Sequence, residues 1–183
     1  MDAVDTLGVV ESRSIAAGAI LADGMVKAAQ VELVRAATVC SGRYLILVSG
    51  DRQAVGTAVA FAQDSGRPLA GGFVISNVAP QLIAALKKGE PAGPGEAIGV
   101  VECRTVASGL SAADKALKRA FVRLCRLVTG QGILGKSYFV LSGDVASVEQ
   151  ACAAAKESLG RDCIETAVMP RPDAAVVRAL TRT

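Results

Sequence analysis

Histidine is absent from this 183-residue sequence. Its absence removes the commonest general base, the Ser–His and Cys–His nucleophile pairs and every His-ligated metal site. Aromatic residues make up only 3% of the chain. The five cysteines are odd in number and contain no C-x-x-C pair, so they match neither a disulfide framework nor a self-contained zinc site. A metal would need ligands from another chain. No run approaches the roughly 18 consecutive apolar residues of a membrane span. Met1-Asp2-Ala3-Val4-Asp5 lacks the basic, then apolar, opening of a signal peptide. A cytosolic protein with no membrane contact is expected. The net charge of +3 is small and its Lys and Arg residues are scattered, which argues against a nucleic-acid groove. Gly42 and Gly130-Gln131-Gly132 belong to no Walker or dinucleotide-binding pattern, so no phosphate loop is read from them.

What the chain does have is aliphatic bulk. Hydrophobic residues reach 51% and the mean hydropathy is +0.42. A soluble chain this apolar hides much of its outer surface in subunit contacts, because large exposed apolar patches are rare on monomers. Oligomerisation is expected.

The sequence also repeats itself. At an offset of 91, Leu7-Gly8-Val9-Val10-Glu11-Ser12-Arg13 falls on Ile98-Gly99-Val100-Val101-Glu102-Cys103-Arg104. Further along, Gly18, Asp23, Lys27, Leu33 and Thr38 meet Gly109, Asp114, Lys118, Leu124 and Thr129. About half of this stretch is identical, which marks duplication of one folding unit. Two extra residues around Ile133-Leu134 shift the offset, after which Ser49-Gly50-Asp51 matches Ser142-Gly143-Asp144. The Gly- and Pro-rich run from Lys87 to Gly95 reads as the linker. The boundary is placed near residue 92, giving one copy over 1–92 and another over 93–183. Modules of about 90 residues are marginal alone and gain stability from neighbours.

Within a copy, a short buried strand over Leu7–Glu11 precedes a helix from about Ser14 to Ala29, with Ile15, Ala19, Ala22, Met25 and Val26 at helical spacing. Strands follow over Val31–Thr38 and Tyr44–Val48, joined by a turn at Ser41-Gly42. Asp51 is placed to cap a second helix. A strand over Phe73–Val78 and a short helix from Pro80 close the copy. The order β-α-β-β-α-β is ferredoxin-like, an α+β fold with an antiparallel sheet and helices on one face. Such a fold carries no function by itself. An oligomeric regulatory domain that binds a small effector, or an enzyme, both stay open at this level, although no convincing catalytic cluster is present. Glu11 and Glu102 could be imagined as an acid/base pair, but their repetition argues for a structural role common to both copies.

The strings Leu7-Gly8-Val9-Val10-Glu11, Ala22-Asp23-Gly24-Met25-Val26-Lys27-Ala28-Ala29 and Ser49-Gly50-Asp51 closely resemble the signature of bacterial microcompartment shell proteins, and all three recur in the second copy. The resemblance implies a cytoplasmic polyhedral shell as the location, other shell proteins as partners, no enzymatic activity, and a tandem chain whose homotrimer mimics a hexamer. Thr38-Val39-Cys40-Ser41-Gly42-Arg43, Gly132-Ile133-Leu134-Gly135-Lys136 and Val168-Met169-Pro170-Arg171-Pro172 resemble the trimeric shell proteins of propanediol-utilisation compartments. Those relatives carry a [4Fe–4S] cluster on the three-fold axis, one Cys from each subunit. The resemblance implies Cys40 as the ligand here, one cluster per trimer, with Ser41, Gly42, Gln131 and Gly132 lining the central opening. It also implies electron or cluster transfer across the shell, with encapsulated redox enzymes as partners. A lone loop Cys cannot hold a cluster by itself, whereas three copies around an axis supply three thiolates. The alternative is the same tile with an open pore for a metabolite and no cluster.

Lys27, Lys118 and Arg171 match tile-edge residues of the family. Arg171 resembles an Arg that inserts into the neighbouring tile, and the first copy is expected to place Ala79-Pro80 there. Without the resemblance, Asp23 with Lys27 and Asp114 with Lys118 are solvated i, i+4 pairs. Cys103, Cys125 and Cys152 read as small buried hydrophobes. No role is assigned to Cys163.

Overall fold

The computed structural model describes residues 6–87 and 95–181, so the boundary expected near residue 92 lies outside the described residues. The first copy runs β1 (Thr6–Ser12), α1 (Ile15–Ala28), β2 (Glu32–Val39), β3 (Arg43–Gly50), α2 (Arg52–Asp64), β4 (Leu69–Ser76) and α3 (Pro80–Leu86). The second runs β5 (Ala97–Cys103), α4 (Val106–Arg119), β6 (Arg123–Thr129), β7 (Ser137–Gly143), α5 (Val145–Leu159), β8 (Cys163–Pro170) and α6 (Ala174–Thr181). Each copy forms a four-stranded antiparallel sheet, in the orders β2-β3-β1-β4 and β6-β7-β5-β8. This is the ferredoxin-like order read from the sequence.

The helices start where short polar side chains can take up orphan backbone N–H groups. Asp51 Oδ1 accepts from Ala54 N at 2.9 Å and its counterpart Asp144 Oδ1 from Ser147 N at 2.8 Å. Ser14 and Thr105 do the same for α1 and α4 at 3.3 and 3.0 Å. Each such cap contributes about 1 kcal/mol. The repeated Gly18 and Gly109 have a packing reason: a Cβ at Gly18 would overlap the Tyr44 side chain, and one at Gly109 the Ser137 hydroxyl. Only glycine lets the first turns of α1 and α4 lie this close to β3 and β7.

Strand β4 begins four residues earlier than the sequence predicts. Gly71-Gly72 precede the expected start at Phe73, yet Val10 and Glu11 pair with these glycines, and ladder hydrogen bonds outweigh the weak strand preference of glycine.

In the first unit α1 and α2 cover one sheet face through Val10, Leu21, Met25, Ile46, Val48, Val55 and Val59. Leu7, Val9, Leu45 and Leu47, on the opposite face, are also fully buried. In the second unit a Cβ at Gly99 would touch Cys152 and Val148 of α5, which fixes the face that α5 covers. Ile98 and Val140 point the other way and pack with Val177 of α6. Helices therefore lie on both faces of the second sheet, a correction to the one-sided arrangement expected from the sequence. The physical cause is the apolar content of both sheet faces, which leaves neither suited to water.

The chain divides into two compact units that exchange segments. One comprises 1–78 with 130–135, the other 79–129 with 136–183. Helix α3 thus ends the first copy but folds with the second unit. There Gln81 Nε2 donates to Val122 O at 3.0 Å and its Oε1 accepts from Leu124 N at 2.8 Å, so one side-chain amide takes up both backbone groups at the start of β6. Asp114, 2% exposed, accepts from Ala79 N at 2.9 Å and pairs with Lys118 at 2.6 Å. Its counterpart Asp23 pairs with Lys27 at the same 2.6 Å, but with 64% of its side chain exposed.

The repeated motif therefore has two unequal members. We expect Asp114→Ala to cost about 1.5–3 kcal/mol, because it removes a charged acceptor from a buried N–H. Asp23→Ala should stay within about 0.5 kcal/mol of the parent, as for an ordinary surface change. Urea unfolding of the two variants checks this, and equal losses would contradict it.

Candidate functional site

The β2–β3 hairpin closes over three residues, since Val39 pairs with Arg43 and leaves Cys40-Ser41-Gly42 as the tip. Ser41 and Gly42 both take positive φ, 75° and 73°. A left-handed serine costs about 1–2 kcal/mol. Here the Ser41 hydroxyl donates to Leu134 O at 2.9 Å, which offsets part of that cost.

Leu134 belongs to the segment Gly130–Gly135, which packs in the same unit as the tip. The two extra residues of the second copy lie in this loop: five residues separate Thr38 from Tyr44, and seven separate Thr129 from Ser137. Four left-handed residues, Gly130, Gly132, Leu134 and Gly135, let it fold back. Cys40 N donates to Gly130 O at 3.4 Å, and Cys40 Sγ accepts from Gly132 N at 3.2 Å. A Cβ on Gly135 would overlap Cys40 O.

The structure thus brings Cys40 and Ser41 together with Gly132. Side-chain positions at Gly42 and Gly132 would meet no atom within 4 Å, so both face open space, and Gln131 is exposed beside them.

Cys40 is half-buried. It differs from the thiols of the core. Burial pushes the Cys103 thiol up to about 12 and Cys152 up to about 11, and raises Cys125 as well. These three hold their protons at neutral pH and are poor sources of the thiolate that metals bind. Among the described residues, no group of three or more Cys, Asp or Glu side chains could hold a metal ion. At the hairpin tip a single chain offers Cys40 alone, the other half-buried thiol, Cys163, lying on β8.

Beneath the tip, Arg43 Nη1 donates to Glu11 Oε1 at 2.6 Å, with the Glu11 side chain fully buried. The second copy repeats the pair as Lys136 with Glu102 at 3.0 Å, half-exposed on both sides. Glu11 and Glu102 are partners of neighbouring cations, consistent with the structural role read from their repetition. Realigning the sequence after the two-residue insertion sets Arg43 opposite Lys136, a signal the sequence carried.

The remaining predicted residues lie elsewhere. Lys27 is exposed on α1. Lys118 borders a groove of about 510 Å³ with Lys115, Arg119, Ala154, Glu157 and Ser158. Arg171 is exposed, with φ 46°. Strand register corrects its expected counterpart: Ala97 pairs with Pro170 as Thr6 pairs with Ser76, so Arg171 matches Asn77, also left-handed at φ 50°, and not Ala79-Pro80.

Comparison with known proteins agrees with this architecture. The BMC domain model matches residues 6–82 and 97–172. The bacterial microcompartment shell protein PduT of Citrobacter freundii is 34% identical over 177 residues, covering 95% of this chain and 96% of that protein. The carboxysome shell protein CcmK2 of Thermosynechococcus vestitus is 41% identical over 70 residues, 38% of this chain and 69% of that protein. A crystal structure of a microcompartment protein from Desulfitobacterium hafniense superposes with a TM-score of 0.85 at 38% identity, covering 96% of this chain and 99% of that one. The fused permuted hexameric shell protein of the RMM microcompartment shares the fold, with a TM-score of 0.60 at 22% identity over 85% and 81% of the two chains. This chain belongs to the bacterial microcompartment shell-protein family and carries two BMC domains in tandem.

Proposed function

We propose that three copies of this shell protein close into a pseudohexameric tile whose three Cys40 thiolates together hold one [4Fe–4S] cluster. The observation that carries the reading is the hairpin tip itself. A half-exposed sulfur, separate from the buried core thiols, accepts the Gly132 N–H at 3.2 Å.

The residues present fit the group as one third of a ligand set. Thiolate is the donor that iron–sulfur clusters take, and hydrogen bonds to the sulfur tune their potentials. The open space beside Gly42 and Gly132 leaves room for a bulky inorganic group. When bound, the cluster supplies one-electron transfer. The chain's own part is to present Cys40 Sγ, to stabilise its negative charge through Gly132 N–H, and to fix the tip through the Ser41–Leu134 bond.

Two features support self-association. On the edge strand β2 the apolar side chain of Leu33 is 44% exposed, and an edge of this kind suits contact with another chain. Phe121 is 94% exposed and Leu134 78%, as expected of surface reserved for contacts. Closed cyclic symmetry then follows from two near-equivalent units repeated three times. Lys27, Lys118 and Arg171 are assigned to the tile edge, where other shell proteins adjoin, and redox enzymes inside the shell are the electron partners.

Anaerobic reconstitution with iron and sulfide tests the reading. Light scattering should give about three times the 18.6 kDa chain mass, with about four irons per three chains. A monomer would refute the tile, and an iron-free trimer would refute the cluster and leave an open pore.

A further inference from the structure

We propose that Cys103 and Cys163 form a dithiol site that a low-molecular-weight disulfide oxidises to an intrachain disulfide within the second unit. The two residues are direct cross-strand partners on β5 and β8. Arg104 N donates to Asp162 O at 2.9 Å, so the next pair outward is the hydrogen-bonded one, and Cys103 and Cys163 fall in the close, non-hydrogen-bonded type. Such pairs have Cα atoms about 4.5 Å apart with side chains on one face, within the roughly 4.4–6.8 Å that a disulfide spans. A bulge between Glu102 and Cys103 borders the pair and gives the strands local freedom to adjust.

The pair is not a requirement of the repeated fold. The matching positions of the first copy are Ser12 and Leu69. Nor is it used by the hairpin-tip site, which draws on Cys40 alone.

The two thiols differ in access, which orders the chemistry. Cys163 is half-buried and Cys103 fully buried. Cys163 Sγ attacks one sulfur of the small disulfide; the mixed disulfide forms, the original S–S bond breaks, and the departing thiolate takes the proton lost by Cys163. Cys103 Sγ then attacks Cys163 Sγ, the protein disulfide forms, and the second small thiol leaves with the Cys103 proton. Two cysteines are oxidised and one small disulfide is reduced to two thiols. The second step is the slow one, because burial raises the Cys103 thiol to about 12, opposed in part by a hydrogen bond with Ser137.

The test is incubation of the whole protein with glutathione disulfide, followed by thiol titration in denaturant and peptide mapping. The expected product has lost two of its five thiols, is lighter by two hydrogen atoms, yields one peptide pair joining Cys103 to Cys163, and reverts with dithiothreitol. Cys163→Ser should abolish that link, and Cys103→Ser should stop at a mixed disulfide on Cys163. Five intact thiols, a mixed disulfide on wild-type Cys163 without the cross-link, or a link joining other cysteines would each overturn the proposal. Because Cys40 takes no part, the outcome is independent of the cluster reading.

Discussion

Cys40→Ser is expected to lose all bound iron and all visible absorbance after anaerobic reconstitution, while light scattering still reports the parent assembly. The reasoning is a count of donors. Each chain offers one half-exposed thiol at the hairpin tip, and the described residues contain no second cluster of ligands to replace it. A serine hydroxyl is nearly isosteric and can still accept the Gly132 N–H, so the tip keeps its shape. It does not ionise near neutral pH and is a hard oxygen donor where iron–sulfur clusters take soft thiolate. The same change at Cys125 or Cys152 should leave iron and colour in place, since burial keeps those thiols protonated. Iron retained in full by the Cys40 variant would end the cluster reading.

The second large effect concerns the repeated ion pair. Arg43→Met removes the guanidinium 2.6 Å from a carboxylate whose side chain is 0% exposed. Breaking a buried pair by deleting one partner costs about 3–5 kcal/mol, because the remaining charge stays in a poor solvent. Lys136→Met removes the same kind of partner from Glu102, but those side chains are 42% and 37% exposed, and a pair so solvated contributes about 0–1 kcal/mol. For a chain of this length each kcal/mol moves Tm by about 2–4 °C, so calorimetry separates the two cases. Adding Glu11→Gln to Arg43→Met should recover part of the loss by removing a buried charge that has lost its Arg43 partner. Equal small shifts for both single variants, or no recovery in the double, would contradict the argument.

These two pairs also mark how far the sequence could be read. The duplication, the β-α-β-β-α-β order and the cap at Asp51 were legible because they depend on local pattern: identities at offset 91, period-3.6 apolar residues, and a short polar side chain before a helix. Cys40 was legible as a hairpin-tip residue for the same reason. Its bond to Gly132 was not, since the two are 92 residues apart and only tertiary packing joins them. Neither was the inequality of Asp23 and Asp114, identical in motif but different in burial because α3 lies against only one of them. The early start of β4 was hidden by Gly71-Gly72, where pairing with β1 overrides composition.

The exchange of segments between the compact units sets a timetable for synthesis. Residues 1–78 leave the ribosome first, but their unit is completed only by 130–135, and α3 emerges before the β6 edge that it serves. At about 5–20 residues per second, the leading half waits several seconds with its hairpin tip unsupported and Gln81 without Leu124. The linker region is therefore a poor place to split the gene: two separately made halves would each lack the piece that the other carries.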